Sequence, residues 1–165
     1  MIGPRNMVSK SVKKGIFFGL TSGVITTLGL MVGLNAGTHS RLAVIGGICT
    51  IAIADALSDA LGIHIAEESE NTHSIKEIWA ATISTFLSKF LFALTFLLPV
   101  LIFKLQTAIF VNITWGAAVL ILLSYKMASD SGSNPWAVIA EHLLIAALVI
   151  ILTCLTGQWI GTIFA

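Results

Sequence analysis

Five apolar stretches occupy most of this chain and limit what it can fold into. A helix of about 20 apolar residues is long enough to cross the hydrocarbon core of a bilayer. Polar links between the stretches are short, so neighbouring helices must run antiparallel. We therefore predict an all-α polytopic membrane protein, with residues 1–165 forming a single domain of five transmembrane helices. The predicted spans are 15–37, 42–66, 78–103, 107–125 and 135–164.

The composition supports lipid as the main solvent. Only 10% of the residues are charged and 56% are hydrophobic, whereas a soluble domain has roughly 25% charged residues. The net charge of +1 gives no reason to expect a nucleic-acid partner. The sequence has no Gly-rich phosphate loop, nucleophile elbow or HExxH motif. We therefore expect neither enzymatic activity nor a prosthetic group.

The distribution of Lys and Arg predicts the orientation, because cytoplasmic flanks of membrane helices carry an excess of basic residues. A cytoplasmic N-terminus leaves only Arg41 and Lys104 on the opposite side. The cytoplasmic set is then Arg5, Lys10, Lys13, Lys14, Lys76 and Lys126. We expect an integral protein of the cell (cytoplasmic) membrane in a prokaryote, or of the vacuolar or another organelle membrane in a eukaryote.

The second predicted span carries ionisable side chains in its interior. Asp55 lies about thirteen residues into the span, roughly 20 Å deep, and Asp59 follows one turn later on the same face. His64 and then Glu67 continue toward the cytoplasmic end. A charge at the bilayer centre costs at least about 2.5–3.5 kcal/mol. The two aspartates should therefore face the bundle interior or a water-filled cavity.

Three cations can neutralise these aspartates. Lys89, near the middle of the third span, can form a purely structural ion pair with Asp55 or Asp59. A proton can bind one of the carboxyl groups, or a metal ion can bind both. A carboxylate must lose its proton to bind a metal, so protons and metal compete for such a site. That competition is the physical basis of an antiporter.

Two runs of glycine at four-residue spacing mark the first span. Such spacing lets helix backbones approach closely where the hydrophobic effect does not drive association. The glycines either pack the first helix within its own bundle or form a homodimer contact. The residues concerned are Gly15, Gly19 and Gly23, followed by Gly29, Gly33 and Gly37.

The first two spans also carry a family resemblance. GLTSGVITTLGLMVGLNAG (19–37), followed by ADALSDALGIHIA (54–66), resembles the vacuolar iron transporter family, whose first two helices read like DGLVTTFGLVAG and GALSMAAGEYVS. The likeness continues through residues 79–103, where Pro99 fits a family proline, and through residues 143–161. The resemblance implies a homodimer that moves ferrous iron, and often manganese, out of the cytosol in exchange for protons. It places the translocation path at the dimer interface, chiefly between the first two helices.

The chain departs from the family pattern at the residues that would bind metal. Ser22 stands where the family has the aspartate of DG, and Asp59 where it has the methionine of ALSM. Ile63 and His64 replace the glutamate and tyrosine of GEY, and Asp55 replaces a small residue. Hard oxygen donors favour Mn²⁺, Mg²⁺ or Ca²⁺ over softer ions, while a histidine suits Fe²⁺ or Zn²⁺. The predicted metal ligands are Asp55, Asp59, His64, Glu67 and Ser22.

Proton coupling and ion capture are assigned to further residues. Many family members insert a metal-gathering domain after the second helix, where this chain has only EESENTHSIKE. Acidic residues there are expected either to capture cations or to form a solvated loop. The predicted capture residues are Glu68, Glu70 and His73. The predicted proton-coupling residues are Asp59, Lys89 and Glu141, with an interfacial charge as the alternative role for Glu141.

Two functional classes remain open at this point. The first is a proton-coupled exporter of divalent transition metal, Fe²⁺ or Mn²⁺, whose partners are metal ions, protons, lipid and a second copy of the chain. The second is a non-transporting membrane assembly or structural protein with a vestigial site. They differ in whether Asp55 and Asp59 face an aqueous path.

Overall fold

The computed structural model describes residues 4–164, with side chains from residue 7 onward, and this part of the chain is almost entirely helical. The all-α prediction is therefore confirmed. In chain order the helices are α1 (Pro4–Thr38), α2 (Arg41–Ser69), α3 (Ile75–Thr95), α4 (Leu97–Ile102), α5 (Leu105–Ser131) and α6 (Pro135–Phe164).

Five of these segments are long and apolar enough to cross a membrane, as the sequence predicted. Their surfaces also carry many large apolar side chains, including Leu148, Leu155 and Phe164 on α6. Such surfaces are typical of lipid contact, since a soluble monomer rarely exposes large contiguous apolar patches. The candidate spans are Met7–Thr38, Arg41–Ser69, Ile75–Ile102, Leu105–Ser131 and Pro135–Phe164.

The third span, predicted over 78–103, is present as Ile75–Ile102 but is not one continuous helix. It breaks at Phe96 into α3 and the short α4. Pro99 has no backbone N–H, and its ring would clash with the carbonyl of Thr95 four residues earlier. The proline therefore divides this span into two helices, and the two together are still long enough to cross a membrane.

The link between α2 and α3 is shorter than predicted. Glu67 and Glu68 belong to the last turns of α2, which ends at Ser69. Only residues 70–74 lie outside helices, and α3 then begins with Glu77 accepting hydrogen bonds from the backbone N–H and hydroxyl of Ser74 at 2.7 and 2.8 Å. The Glu77 carboxylate thus caps the start of α3 and fixes the entry of the chain into this helix. The expected acidic loop is thus mostly helix.

Helix α1 is the centre of the bundle, since it packs against α2, α3, α5 and α6. Half of its most apolar stretch is buried, against 11% for α6. Its glycines make this packing close. A Cβ at Gly19 would lie 2.6 Å from the Thr85 carbonyl oxygen on α3, and one at Gly33 would lie 3.1 Å from the Thr153 carbonyl oxygen on α6.

The remaining glycines of both runs meet neighbours in the same chain. Gly15 and Gly23 face α3, while Gly29 and Gly37 face α6. The first run therefore holds α1 against α3 and the second holds α1 against α6. Of the two alternatives for these glycines, their positions match packing within the bundle.

The Gly19→Ala variant is expected to lose thermal stability. Its Cβ would lie 2.2 Å from the Ser88 hydroxyl and close to the backbone of α3, and overpacking of this kind costs about 1–3 kcal/mol. Thr107→Ala is the control, because Thr107 is exposed on α5 and its change to alanine adds no atoms. Thermal melting of both variants in detergent is the measurement. Equal melting midpoints would contradict the close α1–α3 packing.

Candidate functional site

A buried lysine joins two aspartates at the junction of α2 and α3. Lys89 is 1% exposed, and its Nζ lies 2.5 Å from Oδ2 of Asp55 and 2.5 Å from Oδ2 of Asp59. The contact with Asp59 has hydrogen-bond geometry, whereas Asp55 Oδ2 makes an ion pair without that geometry. One ammonium group therefore bridges carboxylates from two successive turns of α2.

Helix α1 completes this network through Ser22. Lys89 Nζ donates to Ser22 Oγ at 2.9 Å, and Ser22 Oγ donates to Asp59 Oδ2 at 2.6 Å. The polar groups of three helices thus converge on one point. We call Ser22, Asp55, Asp59 and Lys89 the aspartate–lysine site.

Glycine on α1 makes room for the lysine. A Cβ at Gly23 would lie 3.2 Å from Cγ and 3.6 Å from Cα of Lys89, so the lysine stem crosses α1 directly over this glycine. The third glycine of the first run therefore serves the site as well as the packing. Sequence analysis missed this role, since spacing alone does not say which side chain passes over a glycine.

The lysine and the aspartates differ in their access to the surroundings. The Lys89 side chain is 2% exposed, while those of Asp55 and Asp59 are 27% and 20% exposed. The ammonium group approaches from the bundle interior and the carboxylates open toward the outer edge. Two carboxylates against one ammonium leave one formal negative charge when all three groups are ionised. An incoming cation would meet the acidic side of the site first.

His64 does not join the aspartate–lysine site. Its Nδ1 lies 3.0 Å from the Thr82 hydroxyl, and its ring packs edge-on against Trp79 with centroids 4.9 Å apart. Both partners are on α3, so the imidazole ties the C-terminal half of α2 to α3. Among the predicted metal ligands, the structure brings together Asp55, Asp59 and Ser22 and places His64 elsewhere.

Glu67 lies in a second, separate cluster near the end of α2. Its side chain is 1% exposed and forms an ion pair with Lys14 of α1. Its Oε2 has no hydrogen bond and lies 3.6 Å from His73 Nε2. Glu70 adds a contact of 3.1 Å to the same imidazole. Lys14 is the cation of this cluster, but its side chain is 49% exposed where that of Lys89 is 2% exposed. No spacing pattern in the sequence predicts its pairing with Glu67.

The remaining predicted residues lie apart from both clusters. Glu68 is exposed on α2 and Glu141 is exposed near the start of α6. Neither side chain takes part in an ion pair within residues 7–164. Helix α6 packs against α1 and α5, whereas Lys89 lies on α3. Glu141 therefore makes no contact with the other two predicted proton-coupling residues.

Within the described part of the chain, no group of three or more His, Cys, Asp or Glu side chains is arranged to hold a metal ion. The aspartate–lysine site offers two carboxylates and one hydroxyl, which are hard donors suited to Mn²⁺, Mg²⁺ or Ca²⁺. A divalent cation has a place there only when Lys89 Nζ leaves the carboxylates, because both occupy the same oxygens. The site therefore fits a cation that exchanges with the lysine.

No protein-family model, curated protein or solved structure matches this chain. Function is therefore inferred from the side chains of this site and from the helices that hold them.

Proposed function

We propose that this chain is a homodimeric, proton-coupled transporter that moves divalent transition metal, Fe²⁺ or Mn²⁺, out of the cytosol. The observation that carries the proposal is the aspartate–lysine site, where two partly exposed carboxylates of a membrane-length helix share one buried ammonium group. Ionisable groups at membrane depth are costly and are usually retained for function. The resemblance to vacuolar iron transporters supports the choice of cargo.

The exchange follows from the charges of the site. With Lys89 protonated and a divalent ion bound, the site would carry one excess positive charge. Unit charges 4 Å apart interact by about 4 kcal/mol even at an effective dielectric constant of 20. Lys89 must then either lose its proton or move away from Asp55 and Asp59. Loss of the proton exchanges a proton for the metal and so couples the two flows, whereas movement of the charged lysine couples metal binding only to a change in conformation.

The direction of transport rests on the basic flanks. Lys10, Lys13 and Lys14 at the start of α1, with Lys76 and Lys126, lie on one side of the predicted topology, and an excess of basic residues is typical of the cytoplasmic side. The Glu67 cluster lies on the same side and supplies carboxylates near the mouth of the path. We assign Glu70 and His73 to initial cation capture there.

The exposed face of α2 is our choice for the dimer contact. Small residues recur on it at four-residue spacing, and added Cβ atoms at Gly46 and Gly62 meet nothing within 4 Å. Small-xxx-small ridges let two helices approach closely in lipid, and hydroxyls on them form interhelical hydrogen bonds. The ridge consists of Gly46, Thr50, Ala54, Ser58 and Gly62, all exposed.

This ridge adjoins the site directly. Asp55 and Asp59 each follow a ridge residue by one position, so a second copy docked on α2 would approach the open side of both carboxylates. Two copies would then offer four aspartates at one interface, enough oxygen ligands for a divalent ion. The α1 glycines, which face α3 and α6, leave α2 as the small-residue surface free for a second copy within the described residues.

The Ala54→Leu variant is expected to be monomeric in detergent, because a branched side chain at the centre of the ridge would hold two α2 helices apart. Ala118→Leu, the same change at an exposed position of α5, should leave the dimer intact. Light scattering coupled to size-exclusion chromatography measures the mass. A dimeric Ala54→Leu protein would exclude α2 as the contact.

A non-transporting structural protein is the second candidate function. Lys89 already satisfies both carboxylates, and no ready metal cluster exists in the described residues. In that case the ion network would hold α1, α2 and α3 together and bind no cargo.

Mn²⁺ uptake into proteoliposomes under an imposed pH gradient separates the two candidates. A transporter takes up Mn²⁺ faster and to a higher level when the lumen is acidic than when no gradient is imposed, and in both cases more than protein-free liposomes. A structural protein shows no uptake in either condition, and that result would remove the proposed function.

A further inference from the structure

We propose that a cavity between α1, α5 and α6 binds one anionic phospholipid, with its phosphate at the lysines of α1 and an acyl chain on the apolar floor. The cavity has a volume of about 550 Å³ and is distinct from the aspartate–lysine site. Its walls include Lys10, Lys13, Lys14, Phe17, Thr21 and Met127. The inference stands independently of metal transport.

The cavity wall changes from charged to mostly apolar with depth, with Thr21 of α1 and His142, two turns into α6, as its deeper polar residues. Lys10 and Thr21 mark its two ends on α1, a distance of roughly 16 Å along a helix. The three lysines lie on the part of α1 nearest its start, and Phe17 and Phe18 lie on the following turn. On α5, Asp130 lies at the helix end and Met127 about one turn deeper. A polar end above an apolar floor matches a lipid headgroup above the start of its acyl chain.

The charged rim retains attraction for an anion. Lys13 Nζ lies 2.5 Å from Asp130 Oδ2, but the two side chains are 50% and 29% exposed, so an anion can share the lysine. Lys14 is paired with Glu67, whereas Lys10 forms no ion pair with any residue from 7 to 164. Basic pockets between membrane helices favour anionic headgroups in this way.

The aromatic floor favours a lipid over free phosphate. Lys13 Nζ lies 5.7 Å from the centre of the Phe17 ring, so the ammonium group sits at the boundary between the apolar floor and the charged rim. Lysine stems of this kind lie along apolar surface while the charged end stays near water. A free phosphate would leave the lower part of the cavity without an apolar occupant.

The test is thermal melting of the full-length protein in uncharged detergent with added lipid. Phosphatidylglycerol is expected to raise the melting midpoint by several degrees, and phosphatidylcholine or inorganic phosphate to leave it unchanged. Lys10→Gln/Lys13→Gln should abolish the shift, while the control Lys76→Gln/Lys104→Gln should retain it. The control lysines are exposed and lie outside this cavity.

A second variant tests the apolar floor separately. Thr21→Phe fills the deep end of the cavity with the lysines unchanged, and it should also abolish the shift caused by phosphatidylglycerol. A full shift in Thr21→Phe, or an equal shift of the wild type with inorganic phosphate, would overturn the proposal that a lipid binds here and would indicate a site for phosphate alone. Equal shifts with phosphatidylcholine, or a full shift in the Lys10/Lys13 variant, would overturn the site altogether.

Discussion

Replacement of Lys89 by methionine is expected to lower the melting midpoint strongly at neutral pH. The change leaves Asp55 and Asp59 without their shared cation, and removing one partner of a buried ion pair costs about 3–5 kcal/mol. Lys104→Met, at the exposed start of α5, is the control and should melt like the wild type.

The same Lys89 variant separates a transport site from a structural one. Without the lysine, one divalent ion balances the two carboxylates fully, so Mn²⁺ should raise the melting midpoint of Lys89→Met more than that of the wild type. Lys89→Leu, which has no thioether, should behave alike. A midpoint that Mn²⁺ does not change in either variant would show that the network is structural.

Asp59→Asn is expected to abolish metal transport while the protein still folds. The amide keeps the shape of the side chain and can still accept from Ser22, and Lys89 retains Asp55 in a balanced pair. A bound cation, however, would lose one of its two carboxylate ligands. At an effective dielectric constant of 20, the attraction between unit charges 4 Å apart is about 4 kcal/mol. Mn²⁺ affinity should fall at least about 100-fold.

Asp130→Asn is the matched control for this substitution. Asp130 is also ion-paired, with Lys13 and Lys126, but it lies at the end of α5 and outside the aspartate–lysine site. Its transport rate should equal that of the wild type. Normal transport by Asp59→Asn, with only a loss of thermal stability, would show that the Asp59–Lys89 contact holds helices together and carries no cargo.

The sequence predicted the helical spans well, because length and apolar content alone determine them. It did not predict the division of the third span at Phe96, since a proline near the end of a span is compatible with a kink or a break. It also left the link after α2 too long. The carboxylate of Glu67 is buried against Lys14 of another helix. This contact stabilises α2 through polar residues whose composition is typical of a loop.

The aspartate–lysine site was predicted in part for a physical reason. Charges in an apolar span must find partners, so Asp55, Asp59 and Lys89 were natural candidates to meet. The position of His64 could not be read in the same way, because Asp59 and His64 differ by five residues and the helix turns the imidazole toward Thr82 and Trp79 of α3. The partner of each α1 glycine likewise depends on three-dimensional packing.

Proton movement driven by metal alone tests the central claim most directly. Wild-type proteoliposomes would enclose a pH-sensitive dye in weak buffer, with the membrane potential clamped and no initial pH gradient. Exchange predicts that external Mn²⁺ enters and that the lumen becomes alkaline at a matching rate. Mn²⁺ entry without any pH change, or no Mn²⁺ entry at all, would contradict a transporter in which metal and the Lys89 charge exclude one another.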